Sequence, residues 1–152
     1  MMALTVLGFA AAGVLLPFAG GARVRAEGLR KTLGVKLASD LMEEILAKPF
    51  HDPNGADYSP EPDLGETGPA NFDNIDDYHN YIEDQGQVKD AAGAVFTDPK
   101  YANFSRNVTC YYHAMSPQAE PGSLAECDFI SVTVQVYYSG RTIATINRLV
   151  SE

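Results

Sequence analysis

The chain opens with 22 residues, MMALTVLGFAAAGVLLPFAGGA, that contain no charged side chain. A helix rises about 1.5 Å per residue, so this run spans about 30 Å, which is the thickness of a bilayer's hydrocarbon core. Glycines such as those in the run weaken a water-exposed helix, whereas in lipid small residues let neighbouring helices approach closely. The run therefore predicts one membrane-spanning helix over residues 1–22, kinked at Pro17, where a backbone hydrogen bond is lost.

Two other interpretations of the apolar run stay open. A cleaved signal peptide would explain the small residues at 19–22, although no basic residue precedes the apolar stretch. A buried helix of a globular core is the second, although such helices are usually shorter and not apolar on every side.

Residues 23–48 carry a helical pattern with an apolar stripe. Glu44 and Lys48 have the spacing of a stabilising i,i+4 ion pair, and Pro49 ends the helix. No capping signal separates this segment from the apolar run, so we expect one helix of about 45 residues, with two helices broken near Gly20-Gly21 as the alternative. An aliphatic residue at every fourth position predicts packing on a soluble domain through Leu29, Leu33, Leu37, Leu41 and Ile45.

The two remaining regions predict a loop and a sheet. Residues 49–100 are rich in Pro, Gly, Asp and Asn, and they predict an irregular acidic segment. Residues 101–152 alternate apolar and polar side chains, although Arg106 interrupts the apolar side. Ser139-Gly140 predicts a two-residue hairpin turn before a last strand near Arg141 to Leu149. The fold class is therefore α+β, with the long N-terminal helix packed on an antiparallel sheet of at least three strands.

The acidic segment contains the one candidate for a metal site. Six acidic residues lie within 18 positions of one another: Asp73, Asp76, Asp77, Glu83, Asp84 and Asp90. Calcium takes oxygen ligands from carboxylates on flexible loops, and the candidate ligands here are Asp73, Asp76 and Asp77. Their spacing does not match an EF-hand, and a solvated acidic loop held by its aromatic residues is the alternative. The net charge of −9 argues against nucleic acid as a partner, since an acidic surface repels phosphates. No motif for a nucleophile with its base is present, so we expect no enzyme and no other cofactor.

The chain has two cysteines, Cys110 and Cys127. An even number of cysteines in a domain outside the cytosol predicts one disulfide between them. Two free, buried thiols are the alternative.

The order of these segments resembles type IV pilins and type II secretion pseudopilins. The apolar run is similar to their N-terminal segment just past the processing site, and LMEEILAKPFHDPNG and NFDNIDDYHNYIE are similar to minor pilins of the mannose-sensitive haemagglutinin type. The resemblance implies a structural subunit in the inner membrane, with its C-terminal domain periplasmic or extracellular. Its implied partners are other pilin or pseudopilin subunits, the inner-membrane assembly machinery and lipid. Membrane and assembly contacts would come from Leu4, Leu7, Gly13, Val14 and Pro17.

One family feature is absent from the printed sequence. Members begin with a basic leader, a glycine and a Phe-Thr-Leu-x-Glu run, and processing leaves an N-methylated aromatic residue. The position of Pro17 predicts that Met1 follows directly on that glutamate, with the coding start further upstream. A basic leader would also orient the span, because Arg23 and Arg25 by themselves favour a cytoplasmic C-terminal side. The alternative function is a membrane-anchored cell-envelope binding module that does not polymerise and holds calcium in its acidic loop.

Overall fold

A computed structural model describes the backbone of residues 2–53, 60–113 and 129–151, and their side chains from residue 20 onward. The chain divides into two compact units, Met1–Leu33 and Gly34–Glu152. Helix α1 covers Met2–Leu46. Among the residues whose side chains are described, no helix is both long enough and apolar enough to cross a membrane. The side chains of the predicted span at residues 2–19 lie outside the described residues, so the span stays a prediction.

Residues 20–33 of α1, which belong to the first unit, are largely exposed. Leu29 is 62% exposed there and Leu33 is half-buried. Lys31 and Glu27 form an ion pair at i,i+4 spacing, with both side chains more than half exposed. The predicted packing stripe was expected to begin at Leu29, but the first of its leucines to be buried is Leu37, about two helical turns later. The four-residue leucine spacing therefore starts before the part of the helix that is buried.

In the second unit, the end of α1 packs on an antiparallel sheet. The strands are β1 (Ile82–Glu83), β2 (Phe104–His113), β3 (Phe129–Tyr138) and β4 (Arg141–Ser151). They lie in the order β1-β2-β3-β4, so the sheet is a meander in which each strand pairs with the next along the chain. The predicted α+β architecture is confirmed, and the described residues contain four strands where at least three were expected.

The core lies between α1 and one face of the sheet. Leu37, Leu41 and Ile45 of the predicted stripe are buried. They meet the inward-facing residues of the strands, where alternation places the apolar positions of each strand on one face. The fully buried strand residues are Phe104, Val108, Cys110, Ile130, Val132, Val134 and Val136.

The hairpin between β3 and β4 forms at the predicted turn. Ser139 and Gly140 both have positive φ, at 48° and 76°, and Tyr138 pairs with Arg141 across them. Positive φ at both central residues is the geometry of a type I′ turn, whose twist matches that of antiparallel strands. A shift in register between Val136 and Tyr137 disturbs the ladder close to this turn.

The described part of the segment between α1 and β2, which excludes residues 54–59, is largely irregular. It contains two single-turn 3₁₀ helices, Asp76–Tyr78 and Pro99–Tyr101, and the two-residue strand β1. Two contacts hold the middle of this segment against the residues that directly follow α1: the amide of Ile75 donates to the carbonyl of Pro49, and the ammonium of Lys48 donates to the carbonyl of Phe72. No ion pair of the described residues joins Lys48 to Glu44, so the pair predicted from their spacing does not form.

Candidate functional site

The acidic loop contains three carboxylates that approach one another. One carboxylate oxygen each of Glu66, Asp73 and Asp77 lies within 4.8 Å of the others. Asp73 and Asp77 were predicted as candidate calcium ligands, and the structure brings them together. Glu66 was not predicted, since it precedes the acidic run by several residues and nothing in its local sequence marks it.

Backbone hydrogen bonds fix the position of Asp77. Its Oδ2 accepts from the amides of Asp73 at 2.8 Å and Asn74 at 3.0 Å, while the Asn74 side-chain oxygen accepts from the amide of Asp77 at 3.1 Å. These reciprocal bonds hold the turn that precedes the 3₁₀ helix, where a short polar side chain replaces the backbone as acceptor. The carboxylate of Asp77 is therefore held in place by its own loop.

Like charge within this cluster changes the acidity of Glu66. Desolvation, the charge of Asp77 and a shared hydrogen bond with Asp77 raise the pKa of Glu66 from 4.5 to about 7. A raised pKa of this kind means that the ionised form lacks a compensating positive charge nearby. A bound cation would supply that charge, and the donor set of carboxylate oxygens is the type that calcium prefers.

The third predicted ligand, Asp76, lies elsewhere. It is 1% exposed, and its Oδ2 accepts a hydrogen bond of 2.6 Å from the hydroxyl of Tyr112 on β2. Its Oδ1 has no hydrogen-bond partner among the described residues. Successive residues of a 3₁₀ helix point about 120° apart, so Asp76 faces the sheet when Asp77 faces the loop. The cluster therefore consists of Glu66, Asp73 and Asp77 and does not include Asp76.

Burial also sets the acidity of Asp76 and of its neighbour Cys110. Desolvation raises the pKa of Asp76 from 3.8 to about 6, although the hydrogen bond from Tyr112 opposes the shift. Desolvation and the charge of Asp76 raise the pKa of the Cys110 thiol from 9.0 to about 12. The Cys110 sulfur lies 3.5 Å from the carbonyl oxygen of Ile75, and the thiol is free. Cys127 lies outside the described residues, so the disulfide predicted between it and Cys110 stays a prediction.

Aromatic side chains anchor the loop beside the cluster. The rings of Phe72, Tyr78 and Tyr81 contact one another edge to face, with centroids 4.9–5.9 Å apart. Tyr78 is fully buried and its hydroxyl donates to Glu44 of α1 at 2.9 Å. Desolvation and the Glu44 carboxylate raise the pKa of Tyr78 far above its ordinary value, so the phenol stays a donor.

A second polar centre lies behind the loop, at Arg106. This side chain is 4% exposed and pairs with Glu83, which is 4% exposed. Its two terminal nitrogens donate to the carbonyls of Leu37 in α1 and Lys89 in the loop, at 3.0 and 2.9 Å. The interruption of the apolar pattern at Arg106 was the sequence signal for this centre, but the identity of its partner was not predictable.

A cavity of about 340 Å³ lies between α1, the loop at 67–71 and the turn at 89–93. Its charged lining residues are Glu44, Glu83, Lys89 and Asp90, and Tyr81 forms part of its wall. Two of its lining residues, Glu83 and Asp90, belong to the acidic cluster that was the candidate site in the sequence, but the cavity itself was not predicted.

Comparison with known proteins gives no relative for this chain. No protein-family model, no curated protein and no solved structure matches it.

Proposed function

We propose that this protein is a non-enzymatic structural subunit, a minor pilin or pseudopilin, of a type IV pilus or a type II secretion filament. The observation that supports the proposal is the layout of the chain. A 45-residue helix is followed by an irregular segment and a four-stranded antiparallel meander, and the helix residues from Gly34 onward pack on that sheet. The apolar first part of the helix is the part of the sequence that such a subunit would use for assembly.

Assembly of this kind needs no covalent chemistry by the subunit. The apolar helix would be held in the inner membrane and then extracted into a filament, where contacts with other subunits replace contacts with lipid. The C-terminal domain, Gly34–Glu152, would stay on the periplasmic or extracellular side and contact partner subunits. Membrane lipid, the assembly machinery and other subunits are therefore the proposed partners.

The test is a charge in the apolar run. Leu7→Asp or Val14→Asp places a carboxylate where the proposal puts lipid or helix contacts, at a cost of several kcal/mol. We expect loss of membrane retention and of incorporation into sheared filaments. Val24→Asp is the control, because Val24 is 73% exposed and lies beyond the predicted span. Normal membrane retention and filament incorporation of Leu7→Asp would refute the proposal.

The cluster of Glu66, Asp73 and Asp77 favours a second candidate, a membrane-anchored envelope module that binds calcium without polymerising. Three carboxylates within 4.8 Å are costly unless a cation joins them. Calcium should raise the melting temperature of the chain, since a ligand that binds only the folded state stabilises it. Glu66→Gln should abolish that increase, whereas the exposed Glu61→Gln should keep it. No change in melting at millimolar calcium would exclude the calcium site.

A further inference from the structure

The cavity beside α1 is large enough to hold a ligand group and has three different walls. Leu41 and Glu44 of the helix form one wall, residues 67–71 form the second, and residues 89–93 form the third. A volume of about 340 Å³ lies within the usual range for ligand pockets. A smaller cavity of about 110 Å³ adjoins it and shares Glu44, Lys89, Asp90 and Ala91.

The net charge of the lining is acidic, and two of its carboxylates, Glu44 and Asp90, have no cation partner among the ion pairs of the described residues. Glu83 is neutralised by Arg106, and Oδ1 of Asp90 accepts from the amides of its own turn at Ala92 and Ala94. Glu44 is half-buried, and its Oε1 accepts from the hydroxyl of Tyr78. Among the ion pairs of the described residues, none includes Glu44. A cation that entered the cavity would therefore meet an uncompensated carboxylate at partial burial, where charge pairing is stronger than at the surface.

Tyr81 provides an aromatic surface that already attracts a cation of this chain. The ammonium of Lys89 lies 6.0 Å from the centroid of the Tyr81 ring. The hydroxyl of Tyr81 donates to Glu83, which fixes the orientation of the ring. The face of a tyrosine ring attracts ammonium and guanidinium groups.

The remaining lining residues suit a polypeptide ligand. Small side chains form much of two walls, so the backbone beneath them can approach a bound segment: Gly68, Ala70, Ala91, Ala92 and Gly93. Several backbone groups here are already used inside their own turns, such as the amides of Ala92 and Gly93, so the side chain of the bound segment would supply the specific contact.

We propose that this cavity binds a lysine or arginine side chain of a partner polypeptide, with Glu44 as its ion-pair partner and Lys89 as an internal competitor. Lys89 and the incoming cation would contact the same aromatic face, so they would exclude one another. The proposal concerns the second unit alone and does not depend on assembly into a filament.

The first experiment measures binding of short peptides to the full chain by NMR titration at low ionic strength. The probes are Ac-Gly-Lys-Gly-NH₂ and Ac-Gly-Arg-Gly-NH₂, with Ac-Gly-norleucine-Gly-NH₂ as the uncharged control. We expect saturable shifts at the amides of residues 44, 68 and 91–93 with at least one of the cationic peptides and none with the norleucine peptide. Equal shifts with all three peptides, or no saturable shift with either cationic peptide, would overturn the proposal.

Three variants then test the roles of the residues. Glu44→Gln keeps an oxygen that can accept from Tyr78 but removes the charge, and it should weaken binding about tenfold. Glu43→Gln makes the same change at the next position, which is exposed, and should alter affinity less than about twofold. Lys89→Met removes the competitor and should strengthen binding several-fold.

The expected changes in affinity have opposite signs for Glu44→Gln and Lys89→Met, and this distinguishes an effect on recognition from an effect on folding. A variant with a damaged fold would lose affinity, so an increase for Lys89→Met has no structural explanation of that kind. Equal affinities for Glu44→Gln and Glu43→Gln, or a decrease for Lys89→Met with unchanged melting, would refute the roles assigned here. Failure of the filament test at Leu7 would leave these results unaffected, since they are measured on the isolated chain.

Discussion

The guanidinium of Arg106 on β2 and the carboxylate of Glu83 on β1 form an ion pair whose side chains are 4% and 2% exposed. The two residues are also partners in the register of these strands. Because Arg106 donates as well to the carbonyls of Leu37 and Lys89, one side chain joins the helix, the sheet and the loop that forms the cavity. A charge in the apolar core is stable here because each part of the guanidinium has an acceptor.

Removal of one partner of this pair should be costly. Arg106→Met leaves the Glu83 carboxylate buried without its cation, and we expect the free energy of unfolding in urea to fall by about 3–5 kcal/mol. The double variant Arg106→Met/Glu83→Met should recover much of that loss, because neither charge remains buried. Arg148→Met, at an exposed position of β4, is the matched control and should change stability by less than about 0.5 kcal/mol. A loss in the single variant no larger than in the control would contradict this account.

At Gly34, α1 approaches the sheet closely. A Cβ added there would lie 2.5 Å from Cδ1 of Ile143 on β4. Gly34→Leu should therefore destabilise the fold by about 1–3 kcal/mol through overpacking, although leucine favours the helix more than glycine does. Gly28→Leu is the control, because a Cβ at Gly28 would meet no atom within 4 Å, and there the helix preference alone should act. Equal thermal stability of the two variants would show that the contact with Ile143 is not restrictive.

Asp76 should make stability depend on pH. Its pKa is about 6 in the folded chain and 3.8 ordinarily, so the folded state holds the proton more tightly than the unfolded state. Between these values the free energy of unfolding should fall as pH rises, by on the order of 2 kcal/mol, and the loss persists above the window. Glu66, whose pKa is raised to about 7, should add a further decrease in the free energy of unfolding as the pH rises to about 7.

The test of this pH effect is urea unfolding of Asp76→Asn on both sides of the window. Asparagine keeps an acceptor for Tyr112 and removes the titration, so the decrease between pH 4 and pH 6 should be smaller in the variant than in the parent chain. Asp84→Asn makes the same change at an exposed position and should leave the pH profile as it is. Parallel profiles for Asp76→Asn and the parent chain would refute the assignment.

Cys110 should be chemically inert in the folded chain. Its thiol is buried and has a pKa of about 12, and only the thiolate is nucleophilic. In Cys127→Ser, Ellman's reagent at pH 8 should label Cys110 only after denaturation. Rapid labelling of the native variant would contradict the observed burial.

Non-reducing mass spectrometry of the parent chain tests the predicted disulfide, whose presence would show as two mass units fewer than the dithiol.

Local patterns in the sequence determined the elements of this fold. The apolar positions at Leu37, Leu41 and Ile45 identified the buried face of the helix, because a period near 3.6 places them on one side. Strict alternation identified β3, and Ser139-Gly140 identified the turn after it, since these signals depend on residues adjacent in the chain.

Only the tertiary structure decided which polar groups meet. Glu66 lies beside Asp73 and Asp77. Asp76 instead accepts a hydrogen bond from Tyr112, and Arg106 forms an ion pair with Glu83. These contacts depend on how the loop folds back on the helix and sheet. In the folded chain the ammonium of Lys48 donates to the carbonyl of Phe72. The carboxylate of Glu44, its predicted ion-pair partner, lines the cavity. Sequence periodicity gives the direction of a side chain within its own element, whereas a charged group's partner is fixed by distances between elements.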